Sequence, residues 1–538
     1  MGTQPRWDLD PLSPRFRGPS SEGLSGDPHR GDEQARNVAV TEEFRETEFK
    51  FRVNPEFDLP DLTTLDFRID PQPPLILDAD YYDTERTTLL RWGITLRRRS
   101  GGSDDGWHAK VPVVGAEVTT RDEIRVSAMG DTVPVELVQI LTPFLRGQDV
   151  EHRAHVTTHR TPYLISSTSD EALIELVDDH VEVSGAGTRS TFRELELELV
   201  ADSPAARAAV TRIGDRLRDN GAVPSSVSKA ASALGDLGPP DVPEFPPVGP
   251  DGLAVDALRS VLARHVRHLV MSDVAVRRDL PDSVHQMRVA ARRLRSTFST
   301  YRSLLDKEAV APVREDLSWL ARELGAVRDT EVIHDLLVDL SSELGQDEDR
   351  AAALATVDRW YDKRMPAARA SVMAALRTDR HDQLLEDLIA FVTEPPVTDD
   401  AFRPVEDVLL PRVRRTWRRL AHRVDALNSS APDEQWHEVR ILAKKARYAA
   451  EGLGPVMGKH MMTCAGALAK VTDLLGTHQD AHVARTVLRT LATGSDPHEA
   501  FALGMMSQHE AERQQDFRKE FRHLWPHVVH AAHKAGLE

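Results

Sequence analysis

Glu194-Leu195-Glu196-Leu197-Glu198-Leu199 alternates without a break. Successive side chains of a β-strand point to opposite faces, so this run sets three carboxylates on one face and three leucines on the other. The same period recurs in Glu46-Thr47-Glu48-Phe49-Lys50, where Phe44, Phe49, Phe51 and Val53 stand among alternating charges. Glu46, Glu48 and Lys50 therefore share a face. On an open sheet such faces would simply be wet. Inside a closed barrel they become an ion-binding wall.

Further segments repeat the pattern. Leu96-Arg97-Arg98-Arg99 puts Arg97 and Arg99 on one face. Trp107-His108-Ala109-Lys110 follows across the turn-rich stretch Ser100 to Gly106, as in a hairpin. Arg121 and Glu123 share a face of the next run, and Arg160 lies in a strand-like run from His155 to Ile165. Acidic and basic strands so close in sequence predict a charged lumen. Metal ions suit its carboxylates, and an anion with several phosphates suits its Arg and Lys residues.

These residues resemble the CYTH family, the triphosphate tunnel fold. Its opening Glu-x-Glu-x-Lys is matched by Glu46, Glu48 and Lys50, its Tyr-x-Asp-Thr region by Tyr81-Tyr82-Asp83-Thr84, and its Leu-Arg-x-Arg strand by Leu96, Arg97 and Arg99. Its Thr-x-Lys strand is matched only at Lys110, because His108-Ala109 replaces the usual residues. Its late acidic pattern is matched by Asp179 and by Glu194, Glu196 and Glu198, of which Glu196 and Glu198 are the expected pair. Arg153 or His155 stands near a further family arginine. The match spans roughly residues 38–205. It implies that Lys50, Arg97, Arg99, Lys110, Arg121 and Arg160 hold phosphate oxygens. It also implies that Glu46, Glu48, Asp179, Glu196 and Glu198 hold one or two Mg²⁺ or Mn²⁺ ions, with Glu46, Glu48 and Lys50 as the catalytic set.

The second half contains an internal repeat. His285-Gln286-Met287-Arg288-Val289-Ala290-Ala291-Arg292-Arg293-Leu294-Arg295 is echoed by His437-Glu438-Val439-Arg440-Ile441-Leu442-Ala443-Lys444-Lys445-Ala446-Arg447, an offset of 437 − 285 = 152. Leu324-Gly325 with Asp329 returns as Leu475-Gly476 with Asp480, at offset 151. Met287, Ala291, Leu294, Phe298, Tyr301 and Leu305 recur every three or four residues, which predicts a helical core stripe. His285, Arg288, Arg292, Arg295 and Arg302 form a basic stripe about 100° away. Val439, Ala443, Ala446, Ala450 and Leu453, with His437, Arg440, Lys444 and Arg447, repeat the arrangement. Two basic stripes brought together by pseudo-symmetry would make a polyanion groove.

This half, roughly residues 250–538, resembles the CHAD domain, an all-helical module associated with inorganic polyphosphate. The resemblance implies polyphosphate binding by His285, Arg288, Arg292, Arg293, Arg295, His437, Arg440, Lys444, Lys445 and Arg447. Neighbouring guanidiniums repel a metal ion, so these histidines read as part of an anion site. The spaced histidines His523, His527, His530 and His533 read as a solvated helix face.

The expected organisation is a disordered tail (1–37), a CYTH domain (38–238), a Pro-rich linker (239–249) and a CHAD domain (250–538). The fold class is an α+β antiparallel tunnel barrel followed by an all-α, pseudo-two-fold domain. Ala222 to Leu237 reads as the ragged end of the first domain, and Pro239 to Pro250 as a stiff spacer. A net charge of −18 argues against a general nucleic-acid coat and sets the local basic stripes apart. Cys464 is the only cysteine, which excludes an intramolecular disulfide and a Cys-based metal site. No apolar run reaches the ~18 residues of a membrane span. A cytoplasmic protein is expected, with no membrane and no specific nucleic acid among its partners. The expected activity is metal-dependent hydrolysis of inorganic or organic triphosphate, coupled to polyphosphate binding. The alternatives are a non-catalytic polyphosphate scaffold and an adenylate cyclase.

Overall fold

The structure is a computed structural model that describes residues 41–102, 104–113, 120–128, 130–185, 188–235, 237–428 and 430–538. The expected tail at residues 1–37 lies outside them.

The first half is built on β1 (Thr41–Val53), β2 (Arg68–Pro71), β3 (Leu75–Asp83), β4 (Thr95–Ser100), β5 (Gly106–Pro112), β6 (Thr120–Val126), β7 (Glu151–Ser166), β8 (Ala172–Gly185), β9 (Thr188–Leu199) and β10 (Val223–Ser225). With them come the helices α1 (Thr88–Arg91), α2 (Val135–Leu145), α3 (Pro204–Asp219) and α4 (Lys229–Leu234). The strands pair antiparallel in the order β1-β6-β5-β4-β3-β7-β8-β9, and β9 pairs back onto β1. That last pairing closes an eight-stranded barrel and removes the sheet's edges. Its register sets Glu48 opposite Glu198 and Lys50 opposite Glu196.

The two-residue period then sorts the side chains. Phe51, Val53, Leu195 and Leu197 point outward and are buried under α3 residues Ala206, Val210, Ile213 and Leu217. A fully buried aliphatic or aromatic side chain contributes about 1.5–3 kcal/mol. Ser203 caps α3, its hydroxyl accepting from the Ala206 amide at 3.1 Å. Phe44 falls on the lumen side of β1, at the rim, where the Arg125 guanidinium covers its ring at 4.4 Å. Asp83 of the Tyr-x-Asp-Thr motif points into no tunnel. Its carboxylate accepts from the amides of Thr84, Leu89 and Leu90 at 2.7, 2.9 and 3.0 Å and so starts α1.

The second half is helical: α5 (Ala254–Arg277), α6 (Ser283–Thr300), α7 (Ala311–Ser342), α8 (Asp347–Ala375), α9 (Asp379–Thr393), α10 (Val405–Val408), α11 (Leu410–Asp425), α12 (Asp433–Met457), α13 (Lys459–Thr493) and α14 (Pro497–Lys534). The repeated segments are α6 and α12, which pack on each other. Both core stripes are buried, from Met287 to Leu305 and from Val439 to Leu453. Among the described residues no helix is long and apolar enough to cross a membrane.

The Pro-rich stretch carries more pairing than its composition suggests. Asp241 accepts from Arg91 at 2.6 Å, from Arg146 at 3.2 Å and from the Trp92 indole at 3.2 Å. Arg267 of α5 donates to the Val242 carbonyl at 2.5 Å. Arg278, at the end of α5, bonds Glu43 and Asp122 on the barrel wall at 2.8 and 2.9 Å. The stretch is thus a docked seam where a stiff spacer was expected.

Candidate active site and polyanion groove

The inward faces of the barrel strands line a cavity of about 530 Å³. Eight cations and seven carboxylates line it. Glu46, Glu48, Lys50, Arg97, Arg99, Lys110, Arg121, Arg160, Glu196 and Glu198 all face it. Asp179 lies behind Arg160, fully buried. Arg153 and His155 alternate onto the outer face, where His155 bonds Asp80 at 2.8 Å, so neither supplies the further phosphate contact.

Burial forces the lumen charges into pairs. Arg160 grips Asp179 through two bonds of 2.9 and 2.7 Å and reaches Glu196 at 3.0 Å. Lys50 bonds Glu196 and lies 3.4 Å from Glu48, and Lys110 bonds Glu46. Glu123 accepts from Arg97 at 3.3 Å and from Arg125 at 2.7 Å, and lies 3.0 Å from His108 Nδ1. The imidazole that replaces the family's usual residue thus helps to hold this carboxylate. Arg99 pairs with Asp104. Even so, the buried Nε–H groups of Arg97 and Arg99 have no hydrogen-bond partner. Unpaired buried donors are rare in folded proteins, and two guanidiniums aimed into one cavity suit phosphate oxygens.

One cation was missed in the sequence. Lys229 enters the barrel on α4, in the stretch read as a ragged end. Ser228 caps α4, accepting from the Ala231 amide at 3.1 Å. Ala230 and Ala233 pack on Ala79, Tyr81, Ala154, Val156, Val181 and Val183, closing that end of the lumen. The Lys229 ammonium then lies 2.9 Å from Asp179, 2.8 Å from Glu194 and 2.9 Å from Glu196. The sequence signal was indirect: a strand with three inward carboxylates beside Asp179 requires a buried counter-charge.

The acidic residues therefore form two groups. Asp179, Glu194 and Glu196 bring ligand atoms within 4.8 Å of one another and could bind a metal. An ammonium already sits among them. Glu46, Glu48 and Glu198 form the other group, of which Glu46 and Glu198 are less neutralised. Burial, followed by the charge of Glu46 and then Glu48 and Glu196, pushes the Glu198 carboxyl up to about 7, against Lys110. Glu48 goes the other way. Burial would raise it, but Lys50, Lys110 and Arg121 hold it down at about 2. A carboxylate with excess negative charge around it, opposite Glu48 across the β1–β9 register, is a donor set that a hard divalent cation fits.

On the helical half, Arg288 of α6 bonds Asp329 at 3.1 Å, and a Cβ at Gly325 would lie 4.0 Å from Arg288 Nε. The Leu-Gly element thus lies at van der Waals distance beside that guanidinium. Arg292 lies over the Tyr448 ring of α12 at 5.5 Å, and Arg447 over the same ring at 6.0 Å. Burial lowers the Lys444 ammonium to about 7, helped by Arg440, Arg292 and Arg288 against Asp480. Cations from both copies therefore meet at one place. His285 feels the same field, its pKa lowered by burial and then by Arg328, Arg292 and Arg288. His437 turns toward Gln479, 2.8 Å away, and Arg295 is exposed. Arg293 lies on another flank, beside Arg264. Lys445 lines a separate cavity.

A closed antiparallel barrel with a charged lumen, followed by a duplicated helical bundle, defines a triphosphate-tunnel domain joined to a CHAD domain. Family models agree, with CYTH matching residues 45–220 and CHAD residues 260–489. The chain belongs to the two-domain CYTH–CHAD family. The uncharacterized proteins MT2285 and Rv2226 from two strains of Mycobacterium tuberculosis are each 33% identical to it over 477 residues, which is 84% of this chain and 90% of theirs. Among solved structures, PptA from Streptomyces chartreusis matches 51% of this chain and all (100%) of its own, at 23% identity and a TM-score of 0.44. The CHAD domain of the plant Ricinus communis matches 52% of this chain and 94% of its own, at 24% identity and a TM-score of 0.42.

Proposed function

We propose that the barrel hydrolyses a triphosphate with the aid of Mg²⁺ or Mn²⁺, and that the helical half binds inorganic polyphosphate. The observation that carries the first part is the pair of unpartnered, buried Arg97 and Arg99 donors in a lumen that also holds Glu48 and the under-neutralised Glu46 and Glu198. Those three carboxylates would hold the ion. When bound, it supplies charge neutralisation at the phosphoryl oxygens and a polarised water.

The protein's own residues do the rest by positioning and electrostatics. Arg97, Arg99, Arg121 and Arg160 offer their guanidiniums to the phosphates. Lys50 and Lys110 exchange their carboxylate partners Glu196 and Glu46 for phosphate oxygens. The exchange leaves Glu46 free as a ligand, so metal and triphosphate strengthen each other's binding. Lys229 keeps Asp179, Glu194 and Glu196 neutralised and holds the closed end of the tunnel in place.

The test is product analysis of the full-length protein incubated with tripolyphosphate, ATP or long-chain polyphosphate, with and without Mg²⁺ or Mn²⁺. The expected result is metal-dependent release of orthophosphate from tripolyphosphate. Cyclic AMP from ATP would identify a cyclase. Unchanged substrates under every condition would leave a binding protein and end the hydrolase reading.

A further inference from the structure

A second cavity, of about 550 Å³, lies where the end of α6 meets α11 and α12. Arg302, Lys307, Arg412, Arg415, Arg419 and Lys445 line it, and no carboxylate does. Among the described residues, none of these six cations has an acidic oxygen within 4.0 Å. Nearby cations of the same two helices do have carboxylate partners: Arg288 has Asp329, and Arg447 has Glu451 and Asp473. Arg412 registers the imbalance, since burial, then Arg415 and Arg302, hold its pKa below the ordinary arginine value against the opposing charge of Asp400. Like charges gathered in a chain of net charge −18 need a counterion, and nothing lining this cavity supplies one.

Two alternatives can be weighed. Cations at a helix C-terminus can serve its free carbonyls. Only Arg412 does so among the described bonds, reaching the Thr300 carbonyl at a long 3.5 Å. The cavity could also be a by-product of the duplicated basic stripe. The 152-residue offset argues against that, because it sets Glu451, Gly454 and Pro455 where the first copy has Ser299, Arg302 and Ser303. The second copy has exchanged the hydroxyls and the arginine for a carboxylate that pairs with Arg447. The cavity is therefore a one-sided feature of the pseudo-symmetric domain. Ser296, Ser299 and Thr300 share a helical face on its wall and add short hydroxyl donors to the cations.

We propose that this cavity is a second anion site, separate from the Arg288/Arg292/Arg440/Lys444 groove, which takes a cluster of several phosphoryl groups. The cluster comes from a compact multiply phosphorylated molecule or from the end of a polyphosphate chain. The site is independent of the barrel reading.

The experiment is calorimetry on the full-length protein with two probes, inositol hexakisphosphate and long-chain polyphosphate. Arg415→Glu with Arg419→Glu reverses two exposed charges in the cavity. Lys519→Glu with Arg522→Glu makes the same change of net charge on the exposed face of α14. The cavity variant is expected to lose at least about tenfold in affinity for one probe relative to that control. Loss confined to inositol hexakisphosphate assigns the site to compact molecules, and loss confined to the long chain assigns it to chain ends. Should the reversal unfold the protein, Arg302→Gln with Lys445→Gln carries the same test. If the cavity variant loses no more than the control for either probe, there is no second site. Equal loss of both probes, matched in size by Arg288→Glu with Arg292→Glu, would merge the cavity into the groove and equally overturn the proposal. Tripolyphosphate turnover, followed in parallel, should stay at the wild-type rate, which keeps a failure here distinct from a failure of the barrel reading.

Discussion

The barrel lumen and the helical groove are both rich in arginine and lysine, yet they treat charge in opposite ways. In the lumen almost every cation has a carboxylate partner, and the lining holds eight cations against seven carboxylates. In the groove, Arg288, Arg292, Arg440 and Lys444 press on one another, with Asp329 and Asp480 as opposing charges. The difference follows from solvent. A buried unpaired charge is costly, so a closed barrel must be close to neutral inside. A half-exposed helix face is screened by water and tolerates net charge. On the proposed function, the lumen would bind an anion by exchanging partners within a fixed geometry, which suits one short, well-shaped substrate. The groove would bind through net charge, which suits a long chain of repeated contacts.

The sharpest way to break this contrast is at Glu48. Glu48→Gln keeps the shape of a lumen carboxylate and removes its charge. Turnover of tripolyphosphate should fall by about a hundredfold or more, the order expected when one strong electrostatic contact to a transition state is lost. Long-chain polyphosphate binding should not change. Wild-type turnover in a folded Glu48→Gln protein would remove the metal-site assignment.

The complementary change is Arg288→Glu with Arg292→Glu. Polyphosphate affinity should fall by about tenfold or more. By analogy with nucleic-acid binding, the slope of log affinity against log salt should shrink by roughly 2. Turnover in the barrel should be unaffected. The buried stripe of Met287, Ala291 and Leu294 lies on another face of α6, so the melting temperature should hold. Binding that ignores both the substitution and the salt would reduce the stripe to a solvated face.

Much of the contrast was readable in the sequence, because period two and period 3.6 record which side of an element is wet. Glu46/Glu48/Lys50 and Glu194/Glu196/Glu198 point inward by alternation alone, and Leu195 and Leu197 point outward by the same rule. What alternation cannot record is the identity of the neighbours. Lys229 was missed because a six-residue helix with small side chains has no periodic signal; only closure of the barrel around it makes it important. Arg153 and His155 were placed near the site by proximity to Arg160, and an odd number of residues turned them outward. The basic stripe of the helical half divided for a similar reason. Arg288 and Arg292 meet α7 and α12, whereas Lys445 and Arg302 meet α11, and no pattern within α6 or α12 announces which helix will lie alongside. Asp241 in the Pro-rich stretch is of the same kind, because its partners Arg91 and Arg146 are far away in sequence.

The smallest effect concerns protons in the groove. Lys444 titrates near 7 because burial and then Arg440, Arg292 and Arg288 disfavour its charged form, with Asp480 opposing them. Its folded pKa is thus depressed below the ordinary lysine value of 10.5. Between those two values the unfolded chain binds more protons than the folded one, so this group makes stability rise with pH across that window. Binding has the opposite sign. A polyanion favours the charged ammonium, so the complex should take up a proton at pH 8, and affinity should decline severalfold as pH rises from about 7 to about 9. Calorimetry at pH 8 in two buffers of different ionisation heat measures that uptake directly. Lys444→Met should remove most of it and flatten the pH profile, while changing barrel turnover not at all. Equal uptake in wild type and variant would mean that Lys444 is already charged before the chain arrives. The groove would then be better compensated than its geometry suggests, and closer to the lumen than the comparison allows.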